Sequence, residues 1–218
     1  MVSVPKEWPG ETVVILATGP SLTQEDVDYC RGKARVIAIN DAYTLAPWAD
    51  CLYATDAKWW NWHKGVPGFA GSKWSIEHSQ WNNTRAKYTD IQRLRNTGVL
   101  GLEHNPTGIR NGRNSGFAAV NLAVHYGVSK IVLLGYDMQP SNGKRHFFGD
   151  HPQVSPSPYN QFRSAFETLV KPLAKLKIQT INCTRKTVLN CFPKAALEDV
   201  LPVRAEVAAP VVPTTSAR

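Results

Sequence analysis

The chain lacks long apolar runs. The stretch inside Lys130-Ile-Val-Leu-Leu-Gly135 is typical of its longest, far short of the roughly 20 residues that cross a bilayer, so no membrane span is expected. The first ten residues, Met1-Val-Ser-Val-Pro-Lys-Glu-Trp-Pro-Gly10, carry no basic patch followed by an apolar stretch and a small-residue cleavage site. A cytoplasmic protein is therefore the expectation. Cysteine is scarce, with Cys30, Cys51, Cys183 and Cys191 forming no Cys-x-x-Cys pair, which excludes a dense disulfide framework and leaves free thiols as the expected state. Two phosphate-binding signatures, Gly-x-Gly-x-x-Gly and Gly-Lys-Ser/Thr, are also missing. The formal charge of +8 comes from Lys and Arg placed singly or in pairs. No basic stripe interleaved with aromatics exists, so a small anionic partner such as a nucleotide or phosphorylated sugar is expected before nucleic acid.

What is present reads as an α/β protein. With 218 residues, 43% of them apolar, one domain over 1–202 can bury a core, and the Ala/Pro/Val/Thr segment 203–218 has no periodicity and reads as a disordered tail. Short β-branched runs recur at Thr12–Ala17, Arg35–Asn40, Cys51–Ala54, Lys130–Leu134 and Ile178–Asn182. Runs of that kind suit strands buried on both faces. Between them lie helical signals. Thr23-Gln-Glu-Asp26 has the form of a capping box, Asn114 or Ser115 caps a helix that stops at Gly127, and further helices fall near 161–175 and 194–200. Strand and helix alternate, which implies a Rossmann-like, mostly parallel sheet with helices on both faces. Residues 57–97, with Trp59, Trp60, Trp62, Trp74 and Trp81, show no clear period beyond a short strand at 73–77. Those tryptophans suit core, a self-association surface or ligand stacking.

Candidate site residues gather at the predicted carboxyl ends of the strands, where open α/β sheets bind ligands. Thr18-Gly19-Pro20-Ser21 follows the first strand and precedes a helix, a place where the backbone approaches a phosphate. Asn40 offers an amide to a ribose or base, while Asp41, Thr55-Asp56 and Asp137 accept from hydroxyls or hold a divalent metal such as Mg²⁺. Asn114-Ser115-Gly116 opens the best-signalled helix, so its N–H groups suit a second phosphate, and capping alone explains them equally well. His146 and His151 flank Phe-Phe-Gly-Asp in a polar loop, at a spacing that does not suit zinc. Either imidazole is a candidate general base.

Taken together, Ile15-Leu-Ala-Thr-Gly-Pro-Ser-Leu22, Asn40-Asp41, Asn114-Ser-Gly116, Leu134-Gly-Tyr-Asp137 and His146-Phe-Phe-Gly-Asp-His151 resemble, in that order, the bacterial CMP-sialic-acid-dependent sialyltransferases. The opening is also similar to that of 6-hydroxymethylpterin diphosphokinase-like proteins, and both groups include phage or prophage members. The resemblance implies a Rossmann-like fold and a CMP-type nucleotide-sugar donor held by Thr18 to Ser21, Asn40 and Ser115-Gly116. It implies His151 as the base that activates the acceptor hydroxyl, with His146 in reserve. Thr18 stands where the sialyltransferases have Asn, and Gln139 near where they place a tyrosine that helps the phosphate leave. Lys144 or Arg145 is the candidate to neutralise leaving-group charge in its stead. Two other readings accompany this one, a Mg²⁺-dependent diphosphate transfer from ATP and a non-catalytic nucleotide-binding protein.

Overall fold

In a computed structural model, residues 2–77, 87–150, 152–153 and 157–201 are described. His151, Trp81 and the tail 203–218 lie outside them. Alternation along each short apolar run builds the sheet. In β1 (Thr12–Leu16), Val13 and Ile15 face one side while Val14 and Leu16 face the other. The same division holds in β2 (Arg35–Ile39), β3 (Cys51–Tyr53) and β7 (Lys130–Leu134). Each side chain fully buried in this way contributes roughly 1.5–3 kcal/mol. Burial on both faces demands cover on both. Helices α3 (Ser115–Tyr126) and α4 (Tyr159–Lys175), with Val4 and Trp8, supply it on one side. Helices α1 (Gln24–Cys30), α2 (Ala57–Trp62) and α5 (Leu197–Val200) supply it on the other.

Three further strands, β4 (Ser72–Glu77), β5 (Ile91–Gly98) and β6 (Gly108–Arg110), extend one edge, and β8 (Gln179–Asn182) forms the other. All eight strands are parallel, in the order β6-β5-β4-β3-β2-β1-β7-β8. The chain is thus an α/β protein with a Rossmann-like fold. Its order reverses once, between β1 and β7, and there the connections diverge to leave a crevice.

Sequence expectations and structure differ in the aromatic stretch. Trp59, Trp60 and Trp74 are buried, so they serve the core instead of a surface or ligand, and among the described tryptophans of this stretch Trp62 is the exposed one. Strand β5 was not foreseen because its Ile-Gln-Arg-Leu-Arg sequence buries only Ile91 and Leu94, as suits a strand next to the sheet edge. No helix among the described residues is long and apolar enough to cross a membrane. All four cysteines are free, three of them buried.

Candidate functional site

The crevice holds a cleft with about 620 Å³ of atom-free space, its open mouth included. It is assembled from strand ends. Ala17, Thr18 and Gly19 follow β1, Asn40 follows β2, and Gly135 to Gln139 follow β7. The amino end of α3 contributes Asn114, Ser115 and Gly116, and the loop before α4 contributes Arg145, His146 and Ser157. Tyr159 and Phe162 of α4 complete the lining. Two lining residues that are not glycine, Asn40 (φ 48°) and Met138 (φ 54°), hold left-handed backbone. Such conformations cost on the order of 1–3 kcal/mol each and cluster where binding geometry is imposed.

The Gly-Pro-Ser turn is packed into β7's exit. A Cβ on Gly19 would lie 1.9 Å from Asp137 Oδ1 and 2.4 Å from the Gly135 carbonyl oxygen, so only glycine fits. Its backbone donors are committed inside the protein. The Gly19 N–H donates to Gly135 O (2.9 Å), Ser21 N–H to Asp137 Oδ2 (3.0 Å) and Leu22 N–H to Gly19 O (3.1 Å), while Pro20 has no N–H. This corrects the expectation of a phosphate cradle at residues 19–21. The turn shapes one wall, and the neighbouring Asp137 carboxylate is unfavourable to an anion there. Asp137 is buried, its Oδ1 without a hydrogen-bond partner among the described residues. Desolvation pushes its pKa above the ordinary carboxylate range, and the Ser21 hydrogen bonds pull it back.

The opposite wall is the electropositive one. Asn114 caps α3 by accepting from the Phe117 N–H (2.9 Å), and its Nδ2 donates to Gly112 O. Capping uses the Asn114 side chain. Ser115 Oγ accepts from the Thr55 N–H (3.2 Å) and donates to Thr55 Oγ1 (3.1 Å), which ties β3's end to α3. Thr55 thus acts through Ser115 and does not line the cleft. The backbone N–H groups of Ser115 and Gly116 are first-turn donors that the helix itself cannot satisfy, and they sit where the helix dipole favours negative charge. Arg145 stands nearby, its guanidinium bonded to Asp150 (2.7 and 3.0 Å).

His146 lies over the same cleft. Its Nδ1 is 2.9 Å from Thr18 Oγ1, its ring stacks on Phe148 at 5.1 Å, and the Phe147 N–H donates to Thr18 O (3.1 Å). Thr18 and His146, 128 residues apart, position each other. When Nδ1–H donates to the threonine, Nε2 is the basic nitrogen.

Besides Thr55, Pro20 and Ser21, the expected Asp41, Asp56 and Lys144 lie outside the cleft lining. Asp41 is buried behind the sheet, where its carboxylate accepts from Trp59 Nε1 (2.8 Å) and meets His63 Nε2 (3.2 Å). Asp56 is exposed at the start of α2, outside the cleft lining. Lys144 is exposed at the end of a Ser141–Lys144 turn whose central Asn142 and Gly143 both have positive φ. Asp41, Asp56 and Asp137 therefore do not converge, and no three His, Cys, Asp or Glu side chains among the described residues are grouped to hold a metal. The reading from sequence missed Tyr159, Phe162, Met138 and Ser157 as lining residues, and Thr184 and Thr187 as braces. The Tyr136 N–H donates to Thr184 Oγ1 (2.9 Å), and Thr187 Oγ1 donates to Tyr136 O (2.7 Å). Only the order of strand, polar end and helix hinted at them.

Set against protein-family models, curated proteins and solved structures, the chain matches none of them. Fold and cleft together define a class: an α/β Rossmann-like protein with an open crevice at its switch point.

Proposed function

We propose that the cleft binds a nucleotide and that the chain is a transferase of the glycosyltransferase type using a CMP-type sugar donor. The observation that carries this reading is the arrangement of three features in one cleft at the switch point: the amino end of α3, the Arg145 guanidinium and the Thr18–His146 pair. The donor's phosphate rests on the Ser115 and Gly116 N–H groups, and Asn40 faces the nucleoside. His146 Nε2 takes the proton of an acceptor hydroxyl. The acceptor oxygen forms a bond to the anomeric carbon while the bond to the nucleotide's phosphate oxygen breaks, and the nucleoside monophosphate leaves with the electron pair. One displacement of this kind inverts the anomeric centre. The α3 dipole and Arg145 stabilise the charge that develops on the phosphate. The diphosphate-transfer alternative needs carboxylates gathered around Mg²⁺, which Asp41 and Asp56 do not favour.

A thermal-shift series with CMP, CDP, UDP, ADP and ATP, with and without Mg²⁺, tests the binding step. At 100 times its dissociation constant a ligand adds about 2.7 kcal/mol, and CMP is expected to give the largest shift. No shift with any nucleotide overturns the reading, and a shift confined to ATP with Mg²⁺ replaces it with diphosphate transfer. His146→Ala is expected to abolish hydrolysis of a CMP-sugar while keeping the CMP shift. If His151→Ala does so in its place, the base is His151. CMP binding with no turnover in the parent chain leaves a nucleotide-binding protein without catalysis.

A further inference from the structure

A second groove, lined by residues adjacent in sequence to cleft residues at α3 and α4, has about 930 Å³ of atom-free space, counting the open solvent above it. We propose that this groove, lined by Val99, Leu100, Arg113, Asn160, Gln161 and Ser164, is the acceptor subsite and takes an anionic saccharide. The acceptor role rests on the nucleotide-donor reading of the cleft. The saccharide chemistry stands on the groove itself.

Contiguity is the first argument. Arg113 immediately precedes Asn114 and Ser115, while Asn160 and Gln161 immediately follow Tyr159, and Asn114, Ser115 and Tyr159 all line the cleft. The groove is thus built on the same loop before α3 and the same first turn of α4 that line the cleft. The second argument is that the walls are already built. The Gly112 N–H donates to Val99 O (2.9 Å), Arg110 Nη1 to Leu100 O (2.8 Å) and the Gly101 N–H to Thr168 Oγ1 (2.8 Å), which fastens the 99–101 loop to both α4 and the approach to α3. Preformed walls spare a ligand the cost of ordering them.

The third argument is chemical. Arg113 is exposed, with its backbone held at φ 62° and its N–H donating to Asn111 Oδ1 (2.8 Å). Its guanidinium forms no hydrogen bond or ion pair with a described residue. A guanidinium so placed offers a two-pronged donor to a carboxylate or phosphate. The Gln161 amide and the Ser164 hydroxyl suit sugar hydroxyls. Asn160, with its Oδ1 accepting from Arg163, offers its NH₂ group. Leu100, 51% exposed, supplies an apolar surface for the C–H face of a ring. Cation, amides, hydroxyl and aliphatic face together match an acidic sugar better than a peptide strand or an apolar segment.

The test is titration of the full chain, followed by NMR, with glucuronic acid, glucose 6-phosphate and glucose, alongside CMP. The chosen variant is Arg113→Asn, because Asn tolerates left-handed backbone and removes only the charge. Both anionic sugars are expected to bind the parent more tightly than glucose, and Arg113→Asn to weaken them at least about tenfold with CMP binding unchanged. Arg113→Lys, which keeps charge but loses the fork, is expected to fall between. The carboxylate and phosphate arms show which anion is preferred. Equal binding of all three sugars, or an Arg113→Asn variant that binds like the parent, overturns the proposal. If CMP binds neither chain while the Arg113-dependent sugar binding persists, the donor reading falls and the saccharide site stands.

Discussion

Asp137 shows how one residue redirects a site. Its carboxylate accepts the Ser21 N–H from 116 positions away and rests against Gly19. The turn that looks like a phosphate loop is thereby closed, and the amino end of α3 is the part of the cleft that keeps backbone donors the helix cannot satisfy. The same burial has a consequence for stability. Because the folded pKa of Asp137 is raised by desolvation, its favourable contribution is complete below the ordinary carboxylate pKa. That contribution is lost as pH rises through the higher folded value. Asp137→Asn removes the titration, so the variant is expected to gain stability relative to the parent as pH rises above the ordinary carboxylate pKa of about 4. Urea denaturation across that range measures it, and parallel pH profiles for the two chains would contradict the coupling. Asn114, Ser115 and His146 are legible as candidates in the sequence, but which atoms they keep available is not. That depends partly on Gly112, two residues before Asn114, and chiefly on Thr55 and Thr18, which no local pattern connects to Ser115 and His146.

Among the elements, α3 bears the most. Small residues along Ser115-Gly-Phe-Ala-Ala-Val let it sink into the molecule, with only Val124 of its twelve residues not buried. Its amino end is also fixed against the segment that follows β7 through the Tyr136 hydroxyl, which donates to Gly116 O (3.1 Å). Asn114→Ala deletes the cap and is expected to cost about 1 kcal/mol of stability. It is also expected to weaken CMP binding, since the first turn loses its brace, while Asn114→Ser restores both. A melting curve and the CMP shift report on the two effects separately, and an unchanged melting temperature for Asn114→Ala would show that the cap contributes nothing. Helix α1 illustrates a partial reading. Thr23 does cap Asp26 N–H (3.2 Å) as the capping-box pattern predicts, but the Asp26 carboxylate turns to Arg185 (2.7 and 2.8 Å) and joins α1 to the segment after β8. Strands β5 and β6 escaped the pattern altogether, because strands near an edge need only a few apolar residues.

At the scale of the whole molecule, packing also decides which reactive groups stay silent. Burial raises the thiols of Cys30 and Cys51 to about 12 and those of Cys183 and Cys191 to about 11. At pH 8 this leaves about one thiolate in a thousand or fewer. The native chain is therefore expected to resist a thiol-reactive disulfide reagent and to titrate four thiols per chain in guanidinium. Rapid native reaction of all four would contradict the packing. The sequence by itself determined the class of the protein. Short β-branched runs with helices between them can bury two faces only as a parallel sheet, and periodicity of that sort is a local property. Tertiary structure alone decided the strand order, and with it the crevice between β1 and β7, the pairing of Thr18 with His146 and the withdrawal of Asp41 from the site. These are contacts between residues far apart in the chain, and hydrogen-bond donors are assigned to partners by spatial proximity, which no local pattern encodes.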